Sequence, residues 1–143
     1  MDKLLPFVQN HYILVTLFVV AVILLIVVEA RRQGAGTFRI SPQALVRMIN
    51  HHDAYVVDLR DAAAYKKGHI QSAVSIPWPD FAHHQKQFDK HQERIIVFVC
   101  QTGQNSVRAL TQLRKQGLKH LHVLNGGQVS WNNANLPLTT KEG

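Results

Sequence analysis

Apolar and polar positions divide the chain sharply near residue 30. Residues 12–28, YILVTLFVVAVILLIVV, hold no charge, no glycine and no proline. As a helix this run rises roughly 25 Å, a little under a bilayer core of about 30 Å. Leu4, Leu5, Phe7 and Val8 can extend it, and Tyr12 suits the boundary where aromatic side chains collect. A small soluble domain seldom encloses a helix that is apolar all round. A cleaved signal peptide is the rival reading. Against it, Lys3 is balanced by Asp2, and Arg31 and Arg32 stand where a small-residue cleavage site is expected. The pattern predicts an uncleaved transmembrane anchor over 1–30, a short linker at 31–37 made flexible by QGAGT, and a folded domain over 38–143.

Beyond the linker, short buried runs alternate with amphipathic stretches. Ser41-Pro42 reads as an N-cap followed by an N1 proline and starts a helix to about Asn50. Strands are expected at 55–59 (YVVDL), 73–76 (AVSI), 94–99 (RIIVFV) and 121–124 (LHVL). Helices are expected at 61–67 with Gly68 as a stop, at 80–92, at 106–116 before Gly117, and at 128–133. Buried strands alternating with short helices predict a three-layer α/β domain with a mostly parallel sheet.

Charge adds an orientation. The net charge is +7, yet the basic residues are scattered, with no stripe and no interleaved aromatics, which argues against nucleic-acid binding. Arg31, Arg32 and Arg39 follow the apolar run and only Lys3 precedes it, so the positive-inside tendency puts residues 29–143 in the cytoplasm. The single cysteine excludes an internal disulfide and suits a reducing compartment. His51-His52, His83-His84 and the pair His120 and His122 lack three or four converging partners, so no metal and no cofactor is expected.

That cysteine, Cys100, sits between a buried strand and a helix, where α/β sheets place their ligands. Gly103 allows the tight curvature that turns backbone N–H groups inward, and a helix N-terminus adds partial positive charge. Both favour thiolate over thiol. Spacing alone leaves an inert buried thiol equally open.

Four stretches bear on that choice. CQTGQNS at 100–106 resembles the active-site loop of the rhodanese family, Cys-Arg-x-Gly-x-Arg-Ser. VVDLR at 56–60, YKKGHIQSAVSIP at 65–77 and VLNGGQVSWNNANLPL at 123–138 resemble further family segments in the same order. The resemblance spans about residues 38–138 and is to the membrane-anchored, single-domain bacterial type. It implies a rhodanese-like domain at the bacterial inner membrane that takes sulfane sulfur on Cys100 and passes it to a thiol acceptor. Donor and acceptor would be proteins or small thiols. The amides of Gln101, Thr102, Gly103, Gln104, Asn105 and Ser106 would cradle the persulfide. Related phosphatases use a loop one residue longer closed by arginine; here the sixth residue after Cys100 is Ser106, against phosphatase activity.

The chain departs from the family at Gln101 and Asn105, where arginines are usual, and at Ala64, where glutamate is common. Losing the guanidinium groups weakens selection of anionic thiosulfate. Arg108 on the following helix is a candidate to compensate, Arg60 a candidate for the pocket mouth, and Asp58 is expected to bond nearby backbone N–H groups. His69, Trp78 and Trp131 read as packing residues. Two further readings stand beside sulfur transfer: a catalytically weak module recruiting protein partners to the membrane, and redox sensing through Cys100.

Overall fold

The computed structural model describes residues 4–36 and 38–142, which fall into two compact units with the second beginning at Phe38. The expected flanking Lys3 and the linker residue Thr37 lie outside the described residues. In the first unit, helix α1 (Leu4–Asn10) is followed by α2 (Tyr12–Gly36). The N–H groups of His11 and Val15 bond the carbonyls of Phe7 and His11 at 3.1 and 3.0 Å, so the ladder runs on across the junction. Tyr12–Ala30, 19 residues of mean hydropathy 3.1, is long and apolar enough to cross a membrane.

Residues 31–36 are helical, where the Gly-rich sequence predicts a flexible linker. Each helical glycine costs about 1 kcal/mol relative to alanine. Extending an existing helix is nevertheless far easier than nucleating one, and the long apolar run supplies the nucleus.

The second unit is a five-stranded, wholly parallel sheet of order β1-β5-β4-β2-β3. Its strands are β1 (Arg39–Ile40), β2 (Tyr55–Asp58), β3 (Val74–Ser75), β4 (Ile96–Val99) and β5 (Leu121–Leu124). The helices are α3 (Pro42–His52), α4 (Ala62–Lys67), α5 (Phe81–His84), α6 (Gln104–Lys115) and α7 (Gly127–Asn133). Alternation along the strands sorts the core into two layers. Val57, Ile96, Phe98, Leu121 and Val123 face α6 and the Phe81–Phe88 segment; Val56, Val97, Val99 and Leu124 share the other cluster with Leu45, Tyr65 and Trp131. A sheet covered on both faces is the three-layer arrangement that its continuous apolar runs require.

Local chemistry sets the boundaries. Ser41 caps α3, its Oγ accepting the Ala44 N–H at 3.2 Å. β4 begins at Ile96 rather than Arg94, because the Arg94 backbone N–H closes a turn onto the His91 carbonyl at 3.0 Å, while its side chain reaches the Asp53 carbonyl at 3.0 Å and carboxylate at 3.1 Å. Residues 80–92 form one α-turn flanked by 3-10 turns rather than a single helix. Phe81 and Phe88 are both buried against Phe98, with ring centroids 5.7–5.9 Å apart. Anchoring both rings outweighs the weak helical preference of the polar residues between them. Strand β1, two residues long, is too short to show alternation in the sequence.

His122 on β5 is half-buried, and its Nδ1 is buried without a partner among the described residues. Burial first, then the positive charges of His120 and Arg114, hold its pKa below the usual 6.5, with the Phe38 carbonyl acting the other way. His91 is lowered as well, by burial and by Arg94 and Lys90. The unfolded chain therefore takes up these protons first, so stability should fall as pH drops through about 6.5. A series of urea midpoints from pH 7.5 to 5.5 should decline, and decline less in His122→Gln; equal slopes would exclude His122 as a source.

Candidate active site

Cys100 directly follows β4 and continues its alternation, so with Ile96 and Phe98 it belongs to the α6-side core cluster. The residue is 4% exposed. The chain must leave the strand and enter α6 within three residues, and Gly103 makes this possible with φ +99°. That turn brings the Gly103 N–H onto Cys100 Sγ at 2.9 Å. Because α6 starts at Gln104, two residues earlier than the sequence suggests, Gln104, Asn105 and Ser106 form its first turn.

The loop is rich in unsatisfied donors. The carbonyls of Cys100, Gln101 and Gly103 accept N–H groups from Gln128, Val129 and Val107 at 2.8, 3.3 and 3.3 Å. The amides of Gln101, Thr102, Gln104, Asn105 and Ser106 reach no protein acceptor among the described residues. Free N–H groups at a helix start, together with the helix dipole, favour an anion. Ser106 is fully buried, and its Oγ has no partner among the described residues either. Behind the loop, Gly127 has φ +62°, and a Cβ there would collide with the Cys100 and Gln101 carbonyl oxygens. Only glycine lets α7 approach closely enough for its first amides to hold those carbonyls.

Cys100, Gln101 and Asn105 line one side of an open cleft of about 510 Å3; the facing side is Leu59–Ala62 and Pro77–Pro79. Thr102 and Gln104 are exposed and Gly103 is half-buried. None of these three, nor Ser106, lines the cleft. Arg60 does line it, but its guanidinium is engaged elsewhere. Nε bonds Asp58 Oδ1 at 3.0 Å, and Nη2 bonds Asp58 Oδ2 at 2.7 Å and the Gly68 carbonyl at 2.8 Å. Asp58 Oδ1 also accepts the Arg60 backbone N–H at 3.0 Å. Asp58 thus fixes the segment after β2 and holds Arg60 against the wall. Arg108 is exposed on α6 and is not part of the cleft, so it supplies no replacement charge there.

Of the wall opposite Cys100, the sequence reading anticipated only Arg60 as a lining residue. Trp78, stacked on Phe81 at 5.4 Å, lines the cleft with Leu59, Asp61, Pro77 and Pro79. These residues follow the carboxyl ends of β2 and β3, and that position was the available signal. His69 lies in a different setting. Its ring stacks on Tyr65 at 3.7 Å, and its two nitrogens sit 2.8 Å from the Tyr65 carbonyl and 2.9 Å from that of Lys141. Trp131 is buried, with Nε1 donating to the Pro137 carbonyl at 3.1 Å.

The chain is similar to known proteins. The uncharacterized protein YibN of Escherichia coli (strain K12) is 28% identical over 139 residues, covering 96% of this chain and 97% of that protein. The thiosulfate sulfurtransferase GlpE of Shewanella oneidensis is 33% identical over 96 residues, covering 67% of this chain and 93% of its own length. Among solved structures, the BH2092 protein of Bacillus halodurans superposes with a TM-score of 0.64 at 24% identity, covering 80% of this chain and 90% of that one. A family model described as the rhodanese-like domain matches residues 41–134, spanning α3 through α7 and the whole cysteine loop. The chain belongs to the rhodanese-like domain family.

Proposed function

We propose that the chain is a membrane-tethered sulfurtransferase or persulfide carrier with Cys100 as its nucleophile. The observation that carries this reading is the loop itself: Cys100 at an open cleft, its Sγ accepting the Gly103 N–H at 2.9 Å, amid neighbouring amides that have no acceptor among the described residues. The Cys100 thiolate attacks the outer sulfur of a donor. A sulfur–sulfur bond forms to Cys100, the donor's bond to that sulfur breaks, and the leaving group departs with the electron pair. An acceptor thiolate then attacks the terminal sulfur of the persulfide and restores the Cys100 thiolate. Loop N–H groups steady the anion at both stages, as preorganised donors do in other anion-stabilising sites. The relatives named thiosulfate sulfurtransferase support sulfur transfer as the reaction class.

In this reading residues 1–30 are the anchor, 31–37 the connection and 38–143 the sulfur-handling domain, on the cytoplasmic face of a bacterial inner membrane. The apolar helix and the arginines after it support that placement. One observation favours a second reading, a catalytically weak module that recruits partners. The cleft has Gln101 and Asn105 in place of arginines, and Arg60 is already paired.

Intact-mass measurement of the full chain in mild detergent separates the two. After exposure to an organic persulfide, and separately to thiosulfate, the chain should gain from at least one of the two donors a sulfur atom that Cys100→Ser does not gain. No gain from either donor, with the Cys100 thiol still titratable, would leave the recruiting module as the better account.

A further inference from the structure

The charges around the cleft bear on which sulfur donor it accepts. Among the described residues, two charged side chains line it, Arg60 and Asp61. The Arg60 guanidinium is neutralised by Asp58, the two side chains being 8% and 1% exposed. Asp61 has no such partner. It is exposed, occupies the N-cap position of α4 without a side-chain capping bond, and forms no ion pair among the described residues. Gln101 and Asn105 across the cleft are neutral, and the cations Lys66, Lys67 and Arg108 do not line it. With Arg60 cancelled by Asp58, Asp61 is, among the described residues and apart from the reacting Cys100 thiolate, the one uncompensated charge lining the cleft, beside a wall made apolar by Leu59, Trp78 and Pro79.

We infer that Asp61 makes the cleft select donors by charge, rejecting dianionic thiosulfate and favouring an organic hydropersulfide that carries a positive group near its sulfur. This rests on the sulfur-transfer reading above and names the substrate class of the same site. The reaction needs no further reagent. The Cys100 thiolate takes the outer sulfur of R–S–SH, the proton stays on that sulfur, and R–S⁻ leaves with the electron pair. A positive group in R meets Asp61 while the outer sulfur meets the loop N–H groups, and the apolar wall accommodates the carbon chain between them. A donor with a negative R meets the same carboxylate with the opposite sign. Such an interaction is modest for an exposed group and fades once the Debye length falls from about 10 Å at 0.1 M salt to about 3 Å at 1 M.

The test uses the full chain in detergent and three hydropersulfides on one two-carbon skeleton: 2-aminoethyl (cationic), 2-hydroxyethyl (neutral) and 2-sulfonatoethyl (anionic). Initial rates of sulfur addition to Cys100 are read by intact mass and expressed relative to the neutral donor on the same variant. A short lysine-flanked peptide bearing a cysteine persulfide runs alongside. If it outpaces the 2-aminoethyl donor the natural source is a polypeptide, and if not, a small molecule. At low salt the cationic donor should lead the anionic one by on the order of tenfold, narrowing at 1 M salt. In Asp61→Asn, which keeps a good N-cap residue, the lead should shrink to about twofold or less. Loading by all three donors without charge preference, or an undiminished preference in Asp61→Asn, would overturn the inference while leaving sulfur transfer intact. Failure of every donor to load Cys100 would overturn both.

Discussion

Asp58→Ala should destabilise the folded domain by about 3–5 kcal/mol, the usual consequence of stripping one partner from a buried ion pair. The Arg60 side chain is only 8% exposed and directs Nε and Nη2 to the Asp58 carboxylate at 2.7–3.1 Å. Without that carboxylate, Arg60 keeps the Gly68 carbonyl as its remaining partner, and its backbone N–H loses its acceptor. Urea unfolding followed by tryptophan fluorescence reports the change, since both tryptophans, Trp78 and Trp131, belong to the second unit. The double variant Asp58→Ala/Arg60→Met should recover much of the loss, because an apolar replacement for a buried pair is often neutral. A loss below about 1 kcal/mol in the single variant would mean that water reaches the pair.

Gly127→Ala should cost about 2–4 kcal/mol and reduce sulfur loading of Cys100 by more than tenfold. Two costs combine. A left-handed backbone, φ +62° here, penalises any residue with a Cβ by roughly 1 kcal/mol or more. The added methyl also meets the Cys100 and Gln101 carbonyls, so α7 or the loop must move, and such overpacking costs about 1–3 kcal/mol. Gly117→Ala separates the two contributions. Gly117 has φ +99°, but a methyl group there would meet nothing within 4 Å, so it carries only the backbone cost. Equal losses in stability and loading for the two variants would show that α7 does not hold the loop in place.

Much of this architecture is legible in the chain because it is encoded locally. RIIVFV followed by Cys100 and Gly103 announces strand, turn and helix, since a buried run, a glycine turn and an amphipathic stretch each have a short-range signature. Ser41-Pro42 marks the start of α3 for the same reason. What escapes the sequence is set at long range. Leu59–Ala62 and Pro77–Pro79 become one wall only because β2 and β3 are neighbours in the sheet. Arg60 offers a positive charge to any reading of composition, and only the geometry of its Asp58 pairing removes it from the cleft. Arg108 looks close to Cys100 in sequence, but the turn of α6 leaves it facing solvent. The helical run through Gly36 is another case: glycine content predicts flexibility, but the long helix before it decides the outcome.

The strand order also imposes an order in time. Arg39 pairs with Val123, 84 positions later, so β1 has no neighbour until β5 has been made. At roughly 5–20 residues per second, synthesis of the intervening chain takes about 4–17 s. During that interval β2 can pair with β3 and then with β4, whose partners Tyr55 and Ile96 lie closer in the chain. The opening residues of the domain are thus the first to leave the ribosome and the last to be secured. Proteases and chaperones acting on the growing chain have their longest access to the edge formed by Phe38–Ile40.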